Sequence, residues 1–235
     1  MQIRVKRSNN EEPQCYDVEL QNVTLLTILN HLKTKVDPTL TYSHGCRSGV
    51  CGSCAVRVNG REHLMCEYKP QEGDLIEPIR NAAVIRDLVV ESSHIDRLNR
   101  AGTAWSEGSK EGAIREEEMS RIERQSDCIL CASCYSACPV YAVNPDFIGP
   151  YALTRVWRYT NDPRESGSDA KIAAVQTNGI WDCTLCGECV PVCPQGIAPK
   201  QDITMLRMKS AMMGYNDPNA AMAFGGGLDF GGPMF

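Results

Sequence analysis

Two copies of one cysteine pattern constrain this chain more than anything else in it. The stretch Cys183-Thr184-Leu185-Cys186-Gly187-Glu188-Cys189-Val190-Pro191-Val192-Cys193-Pro194 spaces four cysteines by two, two and three residues and closes on a proline. Cys128, Cys131, Cys134, Cys138 and Pro139 repeat the spacing upstream. Runs of this kind bind 4Fe-4S cubanes in pairs, the first three cysteines of a run serving one cluster and the fourth serving the other. Neither run therefore makes sense alone.

Composition supports metal ligation over cross-linking. Thirteen cysteines is an odd number, and twelve of them fall into metal-type clusters. The chain is long for a small disulfide-stapled domain, and Met1 to Glu12 offers no apolar core of a secretory signal. Thiolates in a reducing compartment ligate metal more readily than they pair. Aromatic residues are only 6% of the chain, so cluster ligation is expected to supply part of the order. A net charge of -5 leaves no basic footprint, which argues against nucleic acid as a partner. No apolar run approaches the roughly 20 residues of a membrane span, so work at a membrane would need another subunit as anchor.

In chain order, Ile3 to Arg7 and Cys15 to Leu20 alternate as two strands of a hairpin around Ser8–Pro13. Thr24 to Lys35 places Leu25, Leu26, Ile28, Leu29 and Leu32 at helical spacing, with Asn22 or Thr24 as cap and Asp37-Pro38 as stop. Strand Ala55 to Val58, an Asn59-Gly60 turn and a second strand come next, then a last strand at Leu75 to Ile79. Val84 to Glu91 and Ile95 to Arg100 read as short helical pieces, and Ser106 to Gly112 as the linker. Ile114 to Gln125 reads as a charged helix whose Glu116, Glu117 and Glu118 form a solvated face. Beyond it the pattern gives helices at Cys134 to Val143, Tyr151 to Tyr159 (Leu153, Val156 and Trp157 inward), Asp169 to Gln176 and Gln201 to Met213, with no sheet. Met205, Met208, Met212 and Met213 fit core or gap filling better than a contact surface. Asn216 to Phe235 is a glycine-punctuated tail, either disordered or an arm for a partner. The expected fold is α+β, with a sheet-containing domain over residues 1–105, a helical two-cluster domain over 106–215 and the tail over 216–235.

The first domain carries its own metal motif. Cys46, Cys51 and Cys54 stand at C-x4-C-x2-C within a glycine-rich loop, with Cys66 as a distant fourth, the arrangement of plant-type 2Fe-2S ferredoxins. Gly45, Gly49 and Gly52 suit a backbone that wraps closely and aims N–H groups at sulfur. A structural zinc site is the competing reading, but the loop matches the paired two-residue knuckles of a zinc ribbon poorly. His44 has no second histidine nearby for a Rieske-type site and reads as structural. Cys15 is left over, a strand or buried cysteine with no redox role. One 2Fe-2S site ahead of two cubane runs describes a short electron wire. No nucleotide fingerprint, Ser/His/Asp set or paired carboxylates stand in a defensible site.

The order of these motifs resembles the iron-sulfur subunit of the succinate dehydrogenase and fumarate reductase family over nearly the whole chain. The resemblance implies an amino-terminal β-grasp ferredoxin domain and a helical bacterial-type ferredoxin domain. It also implies a flavoprotein partner with FAD that interconverts succinate and fumarate, and a membrane-associated subunit. Carried over by position, Cys46, Cys51, Cys54 and Cys66 would hold the 2Fe-2S cluster, and Cys128, Cys131, Cys134 and Cys193 the middle 4Fe-4S cluster. Cys138, Cys183 and Cys189 would hold the third. Familiar members mostly carry 3Fe-4S there because they lack a cysteine at the position of Cys186; with Cys186 present, a second 4Fe-4S cluster is expected and 3Fe-4S is the alternative.

A second departure concerns the electron acceptor. Familiar quinone-reducing members have tryptophan after the Cys138-Pro139 pair and histidine after the first cysteine of the last run, whereas this chain has Val140 and Thr184. The pattern looks closer to the branch whose third subunit is cysteine-rich and related to heterodisulfide reductase, working with a quinol or a thiol. The expected location is peripheral on the cytoplasmic membrane, its cytoplasmic side favoured over co-export with a partner. The rival functions are an iron-sulfur subunit of another flavoenzyme, glycolate- or thiol-linked, and a zinc-binding interaction protein.

Overall fold

The computed structural model describes residues 1–108 and 113–218. At the amino terminus β1 (Gln2–Val5) runs antiparallel to β2 (Gln14–Asp17), with Gln2 opposite Asp17 and Val5 opposite Gln14. Ile3 and Val5 are fully buried while Gln2 and Arg4 face out, the alternation of a strand with one wet face. β3 (Ala55–Val58) and β4 (Arg61–Leu64) form a second hairpin. Its turn residues Asn59 and Gly60 both take positive φ, as a tight two-residue hairpin turn requires. β5 (Leu75–Glu77) lies between the hairpins, parallel to β1 and antiparallel to β3, giving the order β2-β1-β5-β3-β4. α1 (Leu25–Lys35), capped by Thr24, contributes Leu25, Leu26, Ile28, Leu29 and Leu32 to the same core. This is the β-grasp arrangement.

Beyond β5 the chain departs from expectation at two places before the second core begins. Val84 to Glu91 is not helical: β6 (Val84–Arg86) and β7 (Val89–Val90) pair as a small hairpin, turned at Asp87, whose φ is +49°. The β-branched pairs Val84-Ile85 and Val89-Val90 favour strand, and the left-handed turn residue settles it. β5 is therefore not the last strand. α2 (Ser93–Ala101) comes next, as expected. Ile114 to Gln125 is not one helix but two, α3 (Glu116–Ser120) and α4 (Glu123–Ser126). Ile122 between them is buried at φ −122° and draws the chain into the core.

The carboxy-terminal half is helical, with no strand among the described residues. α5 (Ser133–Ser136) and α6 (Pro139–Val143) replace the single helix expected at Cys134 to Val143. Pro139 has no N–H to continue α5 and pushes Cys138 into an extended conformation, ψ 115°. α7 (Pro150–Thr160), α8 (Ser168–Ala174), a 3-10 turn at Ile180–Asp182 and α9 (Pro199–Met212) complete the fold. Leu153, Val156, Ile172, Ile180, Ile203 and Leu206 share the second core, against which half-buried Trp157 packs. The methionines of the last helix are exposed rather than core: Met208 is 57% and Met212 88% accessible. Part of the expected linker, residues 109–112, and most of the tail, 219–235, lie outside the described residues.

The two cores meet along a polar seam. Buried Glu62 on β4 accepts a hydrogen bond from the Ser136 hydroxyl of α5 at 2.5 Å, with Arg57 3.5 Å away. The Ser136 hydroxyl also accepts from the Arg80 N–H, and Asn81 donates to the Tyr135 carbonyl. Arg61 donates to the Pro191 carbonyl and Gln195 to the Gly49 carbonyl, so the last cysteine run is tied to the first metal loop.

Candidate metal centres

The loop at 45–54 wraps its backbone around sulfur. Ser48 and Val50 N–H groups each lie 3.4 Å from Cys46 Sγ, Cys46 N–H lies 3.3 Å from Cys51 Sγ, and Gly49 N–H lies 3.3 Å from Cys66 Sγ. Cys54 and Cys66 sulfurs are 3.4 Å apart. The loop holds this shape through positive φ at Arg47, Gly49 and Gly52. Its N–H groups bring the Cys46 thiol down to about 6, the direction that favours thiolate. Burial pushes the Cys54 thiol up to about 12, so anionic sulfur there calls for a positive partner such as iron.

The two later runs are built alike. In the first, Leu130 and Ala132 take φ of +53° and +61°; in the last, Leu185 and Gly187 take +55° and +89°. The left-handed residues stand one before and one after Cys131 in the first run and Cys186 in the last. Such alternation turns successive N–H groups inward and makes a concavity for anions. Cys186 therefore occupies the place in its loop that Cys131 occupies in the other.

Folding brings these cysteines together across the sequence. Cys128, Cys131, Cys134 and Cys193 line one recess with Leu130, Tyr151 and Pro194. Burial raises the Cys138 and Cys189 thiols, and Cys183 and Cys186 lie close enough to both to add to the effect. Burial raises the Cys134 thiol well above its ordinary value, and neighbouring cysteines add to the effect. Burial raises Cys183 too, opposed by the Leu185 N–H and by Arg207. The Arg207 guanidinium donates to the carbonyls of Ile180, Trp181 and Cys183 at 2.6 to 3.1 Å and fixes the start of that loop.

Among the described residues no group of three or more ligating side chains converges on a point suited to one metal ion. A polynuclear cluster does not ask for such convergence, since each iron takes only one or two protein thiolates. The donor sets fit that requirement: sulfur-rich, lined by inward N–H groups, and partly buried.

Sequence reasoning missed two features of these sites. Gly52 of the first metal loop touches the middle recess: a Cβ there would fall 2.8 Å from both the Cys131 Cβ and the Ile129 carbonyl oxygen. Tyr151 reaches the recess from the first turn of α7. The glycine at Cys51-Gly52-Ser53-Cys54 was the only signal for the first, and nothing in the sequence pointed to the second. Cys15 is an exposed residue of β2, away from these groups, and His44 is exposed with its ring 5.9 Å from that of Tyr42.

Comparison with known proteins agrees with this geometry. Residues 2–97 match the 2Fe-2S iron-sulfur cluster binding domain family, and residues 124–197 the 4Fe-4S dicluster domain family. The 8-methylmenaquinol:fumarate reductase iron-sulfur subunit of Wolinella succinogenes is 36% identical, over 88% of this chain and 70% of that protein. The fumarate reductase iron-sulfur subunit of Haemophilus influenzae is 34% identical, over 90% of this chain and 93% of its own length. In fold, the chain is similar to a chain of the Mycobacterium smegmatis Sdh1 complex in the apo form, with a TM-score of 0.80 over 92% of this chain and 98% of that one, at 24% identity. With that identity and coverage, and with the succinate dehydrogenase iron-sulfur subunit of Paracoccus denitrificans 30% identical over 81% of this chain and 78% of its own length, the chain belongs to the family of iron-sulfur subunits of fumarate reductases and succinate dehydrogenases.

Proposed function

We propose that this subunit carries electrons between a FAD-containing flavoprotein that interconverts fumarate and succinate and a membrane-associated subunit linked to a quinol or a thiol. The relatives' names support the dicarboxylate reaction, and the Wolinella succinogenes name supports a quinol donor. No helix among the described residues is long and apolar enough to cross a membrane, so attachment falls to a partner in this reading. Residues 1–105 and 106–215 serve as the two working domains.

Cys46, Cys51, Cys54 and Cys66 hold a 2Fe-2S cluster in this proposal; Cys128, Cys131, Cys134 and Cys193 hold a 4Fe-4S cluster; Cys138, Cys183, Cys186 and Cys189 hold a second 4Fe-4S cluster. When bound, each cluster supplies a site that takes up and returns one electron. The chain's own residues set the conditions. Backbone N–H groups at Ser48, Gly49 and Val50 stabilise anionic sulfur, Gly52 lets the first loop lie against Cys131, and Arg207 fixes the last loop.

The observation that carries the proposal is the contact at Gly52, because it places one metal loop on the next within a single chain. Iron analysis of the intact anaerobic complex, after subtraction of iron held by its partner subunits, tests the cluster set. The three proposed sites predict 2 + 4 + 4, about ten irons; about nine would leave the third site as 3Fe-4S and remove Cys186 from the ligands. Copurification with a haem-containing, multi-span anchor would remove the cysteine-rich partner from the proposal.

A further inference from the structure

Tyr151 is 2% exposed, yet its hydroxyl makes no hydrogen bond with the described residues. A buried phenol normally finds a partner, because leaving the O–H unmade forfeits what water would give it. The neighbouring Tyr135 ring lies 4.3 Å away, centroid to centroid, but the Tyr135 hydroxyl donates to the Ile148 carbonyl. The nearby Thr154 hydroxyl donates to Asp202. Tyr151 itself lines the recess formed by Cys128, Cys131, Cys134 and Cys193, and Cys134 and Cys128 are near enough to act on its charge. Among the described residues the Tyr135 oxygen, close enough to interact with the Tyr151 hydroxyl, is the competing acceptor.

We propose that Tyr151 donates its hydroxyl proton in a hydrogen bond to sulfur at this site, and so favours the reduced state of the cluster bound there. The proposal rests on the ligand set assigned to the middle cluster. Its physical basis is that reduction adds negative charge to the sulfurs, and a fixed O–H dipole aimed at them stabilises that charge; hydrogen bonds to sulfur are among the determinants of cluster potential. The phenol stays protonated throughout and acts as a positioning group for charge, with no proton transferred. No backbone N–H is involved, so the effect can be removed by deleting one oxygen.

The test uses Tyr151→Phe in the purified complex, with potentiometric titration of each cluster followed by electron paramagnetic resonance. Cys193→Ser first assigns the middle cluster's signal by abolishing or altering it; if all three signals survive unchanged, the ligand assignment fails and the proposal falls with it. With that assignment in place, Tyr151→Phe is expected to keep the wild-type iron content and lower the middle cluster's reduction constant about tenfold. That corresponds to a fall of about 59 mV for a one-electron couple. The other two potentials should stay where they are. Site-specific 3,5-difluorotyrosine at 151, a stronger donor of nearly the same shape, should move the same potential upward, and it serves if the phenylalanine variant does not assemble. An unmoved potential in these variants would mean the proton goes to the Tyr135 oxygen or nowhere, and would overturn the proposal.

Discussion

Single residues here do work that their type alone does not announce. Asp202, on the first turn of α9, is 4% exposed and accepts hydrogen bonds from Gln125 and Thr154, each at 2.9 Å. Burial pushes its carboxyl up to about 6 in spite of those donors. The unfolded chain ionises this group near 3.8, so the folded state holds its proton more tightly. Stability from this group is present below about pH 4 and is lost as the pH rises towards about 6. The full difference is of order 3 kcal/mol. The thermal midpoint of the wild-type complex should therefore fall, relative to Asp202→Asn, between about pH 4 and 6, the span between the two ionisations. Using the asparagine variant as reference cancels acid lability of the clusters, which both proteins share; parallel curves over that range would show that Asp202 is already ionised in the fold there. Cys186 gives a second prediction at this scale. Cys186→Ala should lower the iron count by about one, as expected if a 4Fe-4S cluster loses the iron that its fourth cysteine ligates. The other two clusters should assemble unchanged, and loss of all three would contradict the proposed role.

Elements were legible to the extent that periodicity or a loop motif could specify them. The leucines of α1 repeat at helical spacing and are buried as a set, so Leu29→Ala should cost about 2–5 kcal/mol in chemical denaturation of the chain. A cost below about 1 kcal/mol would mean the sheet can close over the gap. The metal loops were equally legible, because cysteine spacing depends on the cluster more than on the rest of the fold. Residues 84–90 were not, since a short β-branched run suits strand and buried helix alike until the turn at Asp87 is known. The break between α3 and α4 was hidden for a different reason. Glu116, Glu117 and Glu118 advertise a solvated helix, but Ile122 has a place in the core that a continuous helix does not supply. At α5 and α6 the signal was present, as proline after Cys138, but the stretch Cys134 to Val143 otherwise reads as one short helix stopped near Pro145. The methionines of α9 fooled the pattern because methionine is as compatible with a gap in a core as with an exposed stripe.

At the scale of the whole molecule, the order of the motifs revealed two ferredoxin units, but not how they join. The seam uses backbone carbonyls at Ile129, Pro191 and Gly49, which have no signature in the sequence, and a buried Glu62–Ser136 hydrogen bond between residues that look ordinary in isolation. Gly52 is the point at which the first metal loop packs against the second. Its φ of +73° alone would make alanine strained, and the missing Cβ is also what lets the first metal loop lie on Cys131. Gly73 separates these causes, because its φ is +80° yet nothing lies within 4 Å of where its Cβ would stand. Gly73→Ala should therefore carry backbone strain of about 1–3 kcal/mol and leave electron transfer alone. Gly52→Ala should lose more stability than Gly73→Ala and also slow equilibration between the 2Fe-2S and middle sites after rapid reduction, read by freeze-quench electron paramagnetic resonance. Equal losses of stability with an unchanged rate would show that strain, not the close approach of the two loops, is what this glycine provides.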